Sequence, residues 1–98
     1  MKAVISALLT SLLFASSAMA GDVAAGKALS VRCSACHGAN GISVGPLWPN
    51  LAGQKEQYLV KQIKAFRDGV RKDPTMAPMV AGLTDEDVAN LAAFYASQ

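Results

Sequence analysis

The chain is poor in metal-binding and nucleophilic side chains: its 98 residues include 2 cysteines and 1 histidine. A closed structural zinc site wants about four nitrogen or sulfur ligands, and Cys33, Cys36 and His37 exhaust the supply, which argues against zinc. Charge of one sign is scarce too. Lys and Arg number 9, one of them Lys2, against 7 Asp and Glu, and such balance excludes the basic footprint of a nucleic-acid binder. Beyond residue 20, no stretch approaches the ~20 apolar residues that a membrane-spanning helix needs. Residues 21–98 also lack internal repeats, low-complexity tracts and any convincing period-two alternation. A sheet is therefore disfavoured, and with it the βαβ setting of a thioredoxin-type dithiol.

What is present begins with a leader. Lys2 is followed by a mainly apolar stretch at residues 3–9 and 12–15, then by Ser16, Ser17, Ala18, Met19 and Ala20. A basic start, a short apolar run and small residues at 18 and 20 make a secretory signal peptide with the cut before Gly21. The expected organisation is a signal peptide over 1–20 and one domain over 21–98, with no stable membrane insertion after cleavage. Export implies an oxidising compartment, where two thiols are not left idle. The leader also inflates the hydrophobic share, 52% over the whole chain. A domain this small usually needs a staple, a metal or a cofactor to be stable, and a large apolar group would serve.

The remaining pattern is all-α. A first helix is expected over about residues 23–32 with Asp22 as N-cap; Gly26 inside it weakens the helix and implies close packing against another element. A second is expected over about 55–68. Its stripe is Leu59, Ile63 and Phe66 with Tyr58 beside it, Lys61 and Lys64 lie outside, and Gly69 stops it. In the last helix Thr84 is the cap, Asp85, Glu86 and Asp87 suit the positive end of the dipole, and Val88, Leu91, Ala92 and Tyr95 form the apolar face. Two loops separate these helices, 38–53 with Gly41, Gly45, Pro46 and Pro49, and 70–83 with Pro74 and Pro78. They carry Leu47, Trp48, Leu51, Met76, Met79, Val80 and Leu83, more apolar residues than surface loops ordinarily hold. Something apolar is expected between them.

Cys33-Ser34-Ala35-Cys36-His37 is the densest chemistry in the chain. A structural disulfide between the cysteines would close a tiny loop, constrain the unfolded chain little, and leave His37 without a role. C-x-x-C-H is instead the attachment motif of c-type haem, in which the thiols add to the vinyl groups and the histidine becomes an axial iron ligand. Cysteines three apart on a helical turn reach neighbouring edges of one porphyrin, and a histidine directly after the second can swing under the iron.

At this point the sequence resembles the small class I cytochromes c of bacteria, closest to the cytochrome c-553 kind and to single domains of related di-haem cytochromes. The resemblance spans nearly all of 21–98. It rests on Gly21-Asp22 and Gly26, Cys33 to Gly38, Pro49-Asn50-Leu51-Ala52-Gly53-Gln54, Tyr58-Leu59 with Phe66, Gly69-Val70-Arg71, Leu83-Thr84-Asp85-Glu86-Asp87, and Leu91-Ala92-Ala93-Phe94-Tyr95. It implies the class I cytochrome fold, helices wrapped round one covalent haem c, and a methionine thioether as sixth ligand. Met76 and Met79 are the candidates. Similar members carry the ligand seven residues before the apolar position preceding the helix cap, here Leu83, which selects Met76, with Met79 as the alternative. Pro74 and Pro78 are expected to hold Met76 in extended, non-helical chain. Pro46, Trp48, Leu51, Tyr58, Ile63, Phe66, Met79 and Leu83 are the expected haem pocket, with Trp48 as wall and its indole N–H within reach of a propionate. Gly26 against Phe94 or Tyr95 is the expected crossing of first and last helices.

Histidine and methionine together would fill both axial positions, which favours electron transfer over catalysis. The implied protein is a periplasmic electron carrier, monomer or weak dimer, exchanging electrons with redox proteins such as respiratory complexes and oxidoreductases. A fixed electron-entry subunit of a larger oxidoreductase is the alternative, followed by a five-coordinate haem enzyme or gas binder.

Overall fold

Asp22 starts the first helix, its carboxylate accepting the Ala25 amide at 3.1 Å. In the computed structural model, which describes residues 21–98, this helix is α1, Val23–Leu29. The leader expected over 1–20 lies outside the described residues. The chain then tightens into a 3₁₀ turn, Ser30–Cys33, and relaxes into the single α turn α2, Ser34–His37. The helix expected to end near residue 32 thus changes its winding rather than stopping, and carries both cysteines and the histidine on helical chain. Three further helices follow: α3, Glu56–Arg67; α4, Met76–Val80; and α5, Asp85–Ala96. No strand occurs among the described residues, and the fold is the all-α one expected.

The last helix organises the rest. Thr84 and Asp87 form a reciprocal capping box, with the Asp87 amide donating to Thr84 Oγ1 at 3.1 Å and the Thr84 amide to Asp87 Oδ2 at 3.0 Å. Val88, Leu91, Phe94 and Tyr95 are at most 2% exposed, each contributing roughly 1.5–3 kcal/mol of apolar burial. α1 crosses α5 at Gly26, where an added Cβ would lie 1.9 Å from the Asn90 carbonyl oxygen and 2.9 Å from Phe94 Cβ. The expected partner Phe94 is present, and Asn90 rather than Tyr95 completes the contact. Asn90 is buried and its Oδ1 accepts the Asp22 amide at 2.8 Å, tying the start of α1 to the middle of α5.

α3 packs on α5 through Leu59, with Val60, Ile63 and Phe66 flanking the same cluster. Its end is locked. Gly69, at φ 74°, turns the chain so that the Val70 and Arg71 amides both donate to the Ala65 carbonyl, at 2.9 and 3.0 Å. Arg67 then bridges to the far end of the following loop. Its Nη1 donates to the Leu83 carbonyl at 3.2 Å and lies 2.8 Å from Asp85 Oδ1, while Nε pairs with Asp68 at 3.0 Å. One guanidinium therefore fastens both ends of the segment that contains Met76. Lys64 is half-buried and reaches Asp85 at 4.0 Å, so it is less free than a wholly outward lysine.

The hydrogen bond from Arg67 is the main reason that Asp85 titrates below the ordinary carboxylate range, helped by the charges of Lys64 and Arg67. Its contribution to stability is then present above the unfolded carboxylate pKa of about 3.9 and is lost as pH falls through the lower folded value. Asp85→Asn is expected to lower the denaturation midpoint of the haem-bearing protein at pH 7. That difference from the unsubstituted protein should shrink below about pH 3.5. Equal midpoint differences at pH 7 and pH 3 would show that the carboxylate charge is not what fastens the loop.

Candidate haem site

Gly38 decides where the cysteine-histidine segment stops. At φ 78° and ψ 159° it occupies backbone space reserved for glycine, and a Cβ there would sit 1.8 Å from the Ile42 carbonyl oxygen. Its amide caps α2 by donating to Ser34 O at 2.9 Å. The chain then folds back, and the Val44 amide reaches Cys36 O at 3.3 Å. The loop over 38–53 is laced by its own polar groups. The Gly41 carbonyl accepts from Leu51 and Ala52 at 2.7 and 3.0 Å, Asn50 Oδ1 accepts the Ser43 amide at 2.8 Å, and Gly53 N donates to Tyr95 O at 2.9 Å.

This lacing brings Pro49 over His37. The His37 Nδ1 is 2.8 Å from the Pro49 carbonyl oxygen, in a residue only 7% exposed. A carbonyl only accepts, so Nδ1 carries the proton and Nε2 presents a lone pair, the tautomer that a metal-ligating histidine needs. Cys33 and Cys36 are both free and half-buried. Burial pushes the Cys33 thiol pKa up, while the Tyr95 contact and the Arg32 charge pull it back.

Met76 is half-buried and packs against the core cluster that Cys33, Leu51, Ile63 and Phe66 also flank. The structure corrects the expectation of extended chain here: Met76 is the first residue of α4. Asp73 makes that short helix possible. Its Oδ1 accepts the amides of Thr75 and Met76 at 2.8 and 2.9 Å, and its carbonyl accepts from Ala77 at 3.0 Å. Pro78 sits early in α4, where a missing N–H costs nothing because the first helical amides have no intrahelical partner.

The expected pocket residues divide by burial. Leu83 is 6% exposed within the core, and Leu51, Ile63 and Phe66 flank it. Trp48, Tyr58 and Met79 are 37%, 47% and 40% exposed, and Pro46 is exposed. A separate cleft of about 360 Å³ lies between Phe66, Gly69, Arg71, Lys72, Asp73, Pro74 and Ala77; of the expected pocket only Phe66 reaches it. Reasoning from sequence missed the Pro49 carbonyl, the Asp73 cap and the Arg67 bridge. Asp73 two residues before Thr75 was a legible turn signal; the other two depend on chain brought from elsewhere in the fold.

The donor set fits covalent haem c: two free thiols on one helical turn, an imidazole with its outer nitrogen pinned, and half-buried thioether and apolar side chains round one cluster. Fold and site thus define a helical haem-attachment domain. Comparison with known proteins agrees. The cytochrome c family profile matches residues 23–98. Cytochrome c-554(548) of Halomonas halodenitrificans is 51% identical over 82 residues, covering 81% of this chain and 99% of that protein. Cytochrome c4 of Pseudomonas aeruginosa is 46% identical over 97 residues, covering 99% of this chain and 48% of that one. The crystal structure of reduced recombinant cytochrome c4 from Pseudomonas stutzeri superposes with a TM-score of 0.77 at 40% identity, over 81% of this chain and 46% of that one. The chain belongs to the cytochrome c family, electron-transfer proteins with covalently attached haem c, and the domain over residues 23–98 carries one such haem. It spans about half the length of the cytochromes c4 that it matches.

Gly38→Ala is expected to cost about 1–3 kcal/mol from its backbone conformation alone, with the overlap on Ile42 added. The check is the guanidinium midpoint of the haem-bearing variant together with its yield. A midpoint equal to that of the unsubstituted protein would show that the turn after His37 is not constrained as described.

Proposed function

We propose that this chain is a periplasmic carrier of single electrons, with its haem joined to Cys33 and Cys36 and the iron held by His37 Nε2 and the Met76 thioether. The observation that carries this reading is the 2.8 Å contact of His37 Nδ1 with the Pro49 carbonyl, which fixes the tautomer and the ring plane of the one histidine present. Bound haem supplies an iron that alternates between ferrous and ferric states. The chain's own residues bind it, orient it and keep water away. Cys33 and Cys36 hold it to the helical segment; Leu51, Ile63, Phe66 and Leu83 give it an apolar wall, supported by their places in and beside the core cluster. Pro46, Trp48, Tyr58 and Met79, all exposed, belong to the rim where the group approaches solvent.

Met76 is favoured over Met79 because it is half-buried against the core cluster and its amide is held by Asp73, whereas Met79 is 40% exposed. With His37 and Met76 both holding the iron, no open position would remain for a substrate, and a thioether paired with histidine would raise the reduction potential. Electrons then arrive from and leave to redox proteins at the rim. The periplasmic placement is supported by the leader pattern of residues 1–20.

Visible spectra of the protein made with haem-maturation machinery should show covalent c-type bands and the weak far-red band of ferric iron–thioether ligation. Met76→Ala is expected to abolish the far-red band and lower the potential by roughly tenths of a volt, inside the ~0.8 V range that axial ligation spans. Met79→Ala should keep both. The reverse pattern would move the sixth ligand to Met79, and covalent haem lacking the band in the unsubstituted protein would point to an open site.

Asp73→Ala should leave covalent attachment intact while the far-red band melts at a lower temperature than in the unsubstituted protein, because α4 loses its cap. Unchanged melting of that band would show that Met76 is held by packing alone.

A further inference from the structure

Of the triplet Gly69-Val70-Arg71, the first two residues end α3, while the Arg71 side chain has no task in the proposed function. Gly69 reverses the chain at φ 74°, and the Val70 and Arg71 amides fasten the turn to the Ala65 carbonyl at 2.9 and 3.0 Å. This lays the Arg71 side chain back along α3. Its guanidinium carbon stands 4.5 Å from the centre of the Phe66 ring, and its Nη1 donates to Gln62 Oε1 at 3.0 Å. Gln62 and Phe66 are neighbours on one face of α3, so a single planar group covers the ring and is pinned beside it.

Phe66 is a ring that needs holding. It is half-buried against the core cluster that Met76 also flanks. The cleft of about 360 Å³ opens beside it and is bounded across the gap by Asp73 and Ala77. Those two residues surround Met76: Asp73 accepts its amide at 2.9 Å, and Ala77 follows it in α4. An unclamped ring has room to swing from the cluster into the cleft, and the packing beside Met76 loosens with it. We propose that Arg71 is a positioning residue for the sixth ligand, clamping Phe66 on the flank of the core where Met76 sits and so keeping the thioether on the iron. This rests on Met76 being that ligand, as proposed above.

The chemistry suits arginine. A cation within about 6 Å of a ring centroid is drawn to the negative face of the ring. A guanidinium is flat, so it can lie on the ring while its N–H groups reach sideways to Gln62; an ammonium is a point charge and cannot do both in the same way. Loss of the Arg71 side chain leaves the turn itself in place, because the Ala65 carbonyl holds main-chain amides and Arg67 separately ties the end of α3 to Leu83. The consequence therefore falls on the freedom of the ring rather than on the fold.

The test uses the ferric, haem-bearing protein, once its far-red band has been shown to depend on Met76. Imidazole competes for the sixth position, and the concentration that halves the band reads how firmly the thioether is held. Arg71→Gln is expected to lower that concentration about 2- to 5-fold, the range of an exposed cation–π contact, and Arg71→Lys to restore only part of the difference. In a Phe66→Leu background, Arg71→Gln should change it no further. Lys72→Gln, which removes the adjoining cation on the cleft, should leave it as in the unsubstituted protein. An unchanged concentration in Arg71→Gln, an equal fall in the Phe66→Leu background, or an equal fall in Lys72→Gln would overturn the proposal. If the Arg71 variants do not accumulate, proton NMR of the reduced, unsubstituted protein decides: cross-peaks between the Arg71 side chain and the Phe66 ring support the clamp, and their absence removes it. A band that follows Met79, or no band at all, would overturn the sixth-ligand reading itself, and this proposal with it.

Discussion

The arrangement depends on one hydrogen bond between remote parts of the chain, from His37 Nδ1 to the Pro49 carbonyl. Free imidazole distributes its proton between two nitrogens and its ring among several rotamers, and either freedom would leave Nε2 unsuited to the axial role proposed for it. The bond removes both. It is available because the loop over 38–53 is folded back on itself by its own polar groups, through Gly41, Ser43 and Asn50. Gly38 is part of the same device, since the fold-back that brings Pro49 over His37 begins at a backbone conformation no side chain tolerates.

A second set of constraints surrounds α5. Gly26 lets α1 approach until its Cα faces the Asn90 carbonyl, and the Asn90 side chain answers by holding the Asp22 amide. On another side Tyr95 touches Gly41 and accepts from Gly53, so the histidine loop is anchored to the helix that α1 crosses. Arg67 does the equivalent for the methionine loop, joining the end of α3 to Leu83 and Asp85. The loops flanking the site are thus fixed to the same helix at opposite ends, by hydrogen bonds with little slack. A carrier benefits from such anchoring, because a site that barely moves when charge changes needs little reorganisation.

Legibility from sequence followed the range of the interaction. The Cys33 to His37 segment, the Thr84 cap with its acidic first turn and the apolar face of α5 are written in near neighbours, and all were readable. The winding change after Leu29 was not, because a 3₁₀ turn and an α turn share the same local residues and differ through what lies across from them. Pro49 was visible as a loop proline, but its carbonyl is a backbone atom that any residue would supply, so nothing in its identity announced the contact with His37. The expectation of extended chain at Met76 failed for a different reason. Two prolines were weighed as breakers, yet Pro78 falls within the first turn of α4 where helices accept it, and Asp73 supplies the cap.

Stability and function are not separable in a domain of this size. The innermost cluster is drawn from α3, α5 and the stretch around Val80 and Leu83, while Leu29, Cys33, Leu51, Ile63, Phe66 and Met76 flank it only partly buried. A domain this small buries a limited fraction of its surface, so the free energy of holding a large apolar group among those flanking side chains is also folding free energy. The residues proposed to anchor the haem, Cys33 and Met76 among them, therefore flank the core rather than fill its centre. Under the proposed attachment, a substitution on that flank would act on the packing of the domain and on the setting of the iron together, whereas one at Val88 or Leu91, deep in the core, acts on packing first.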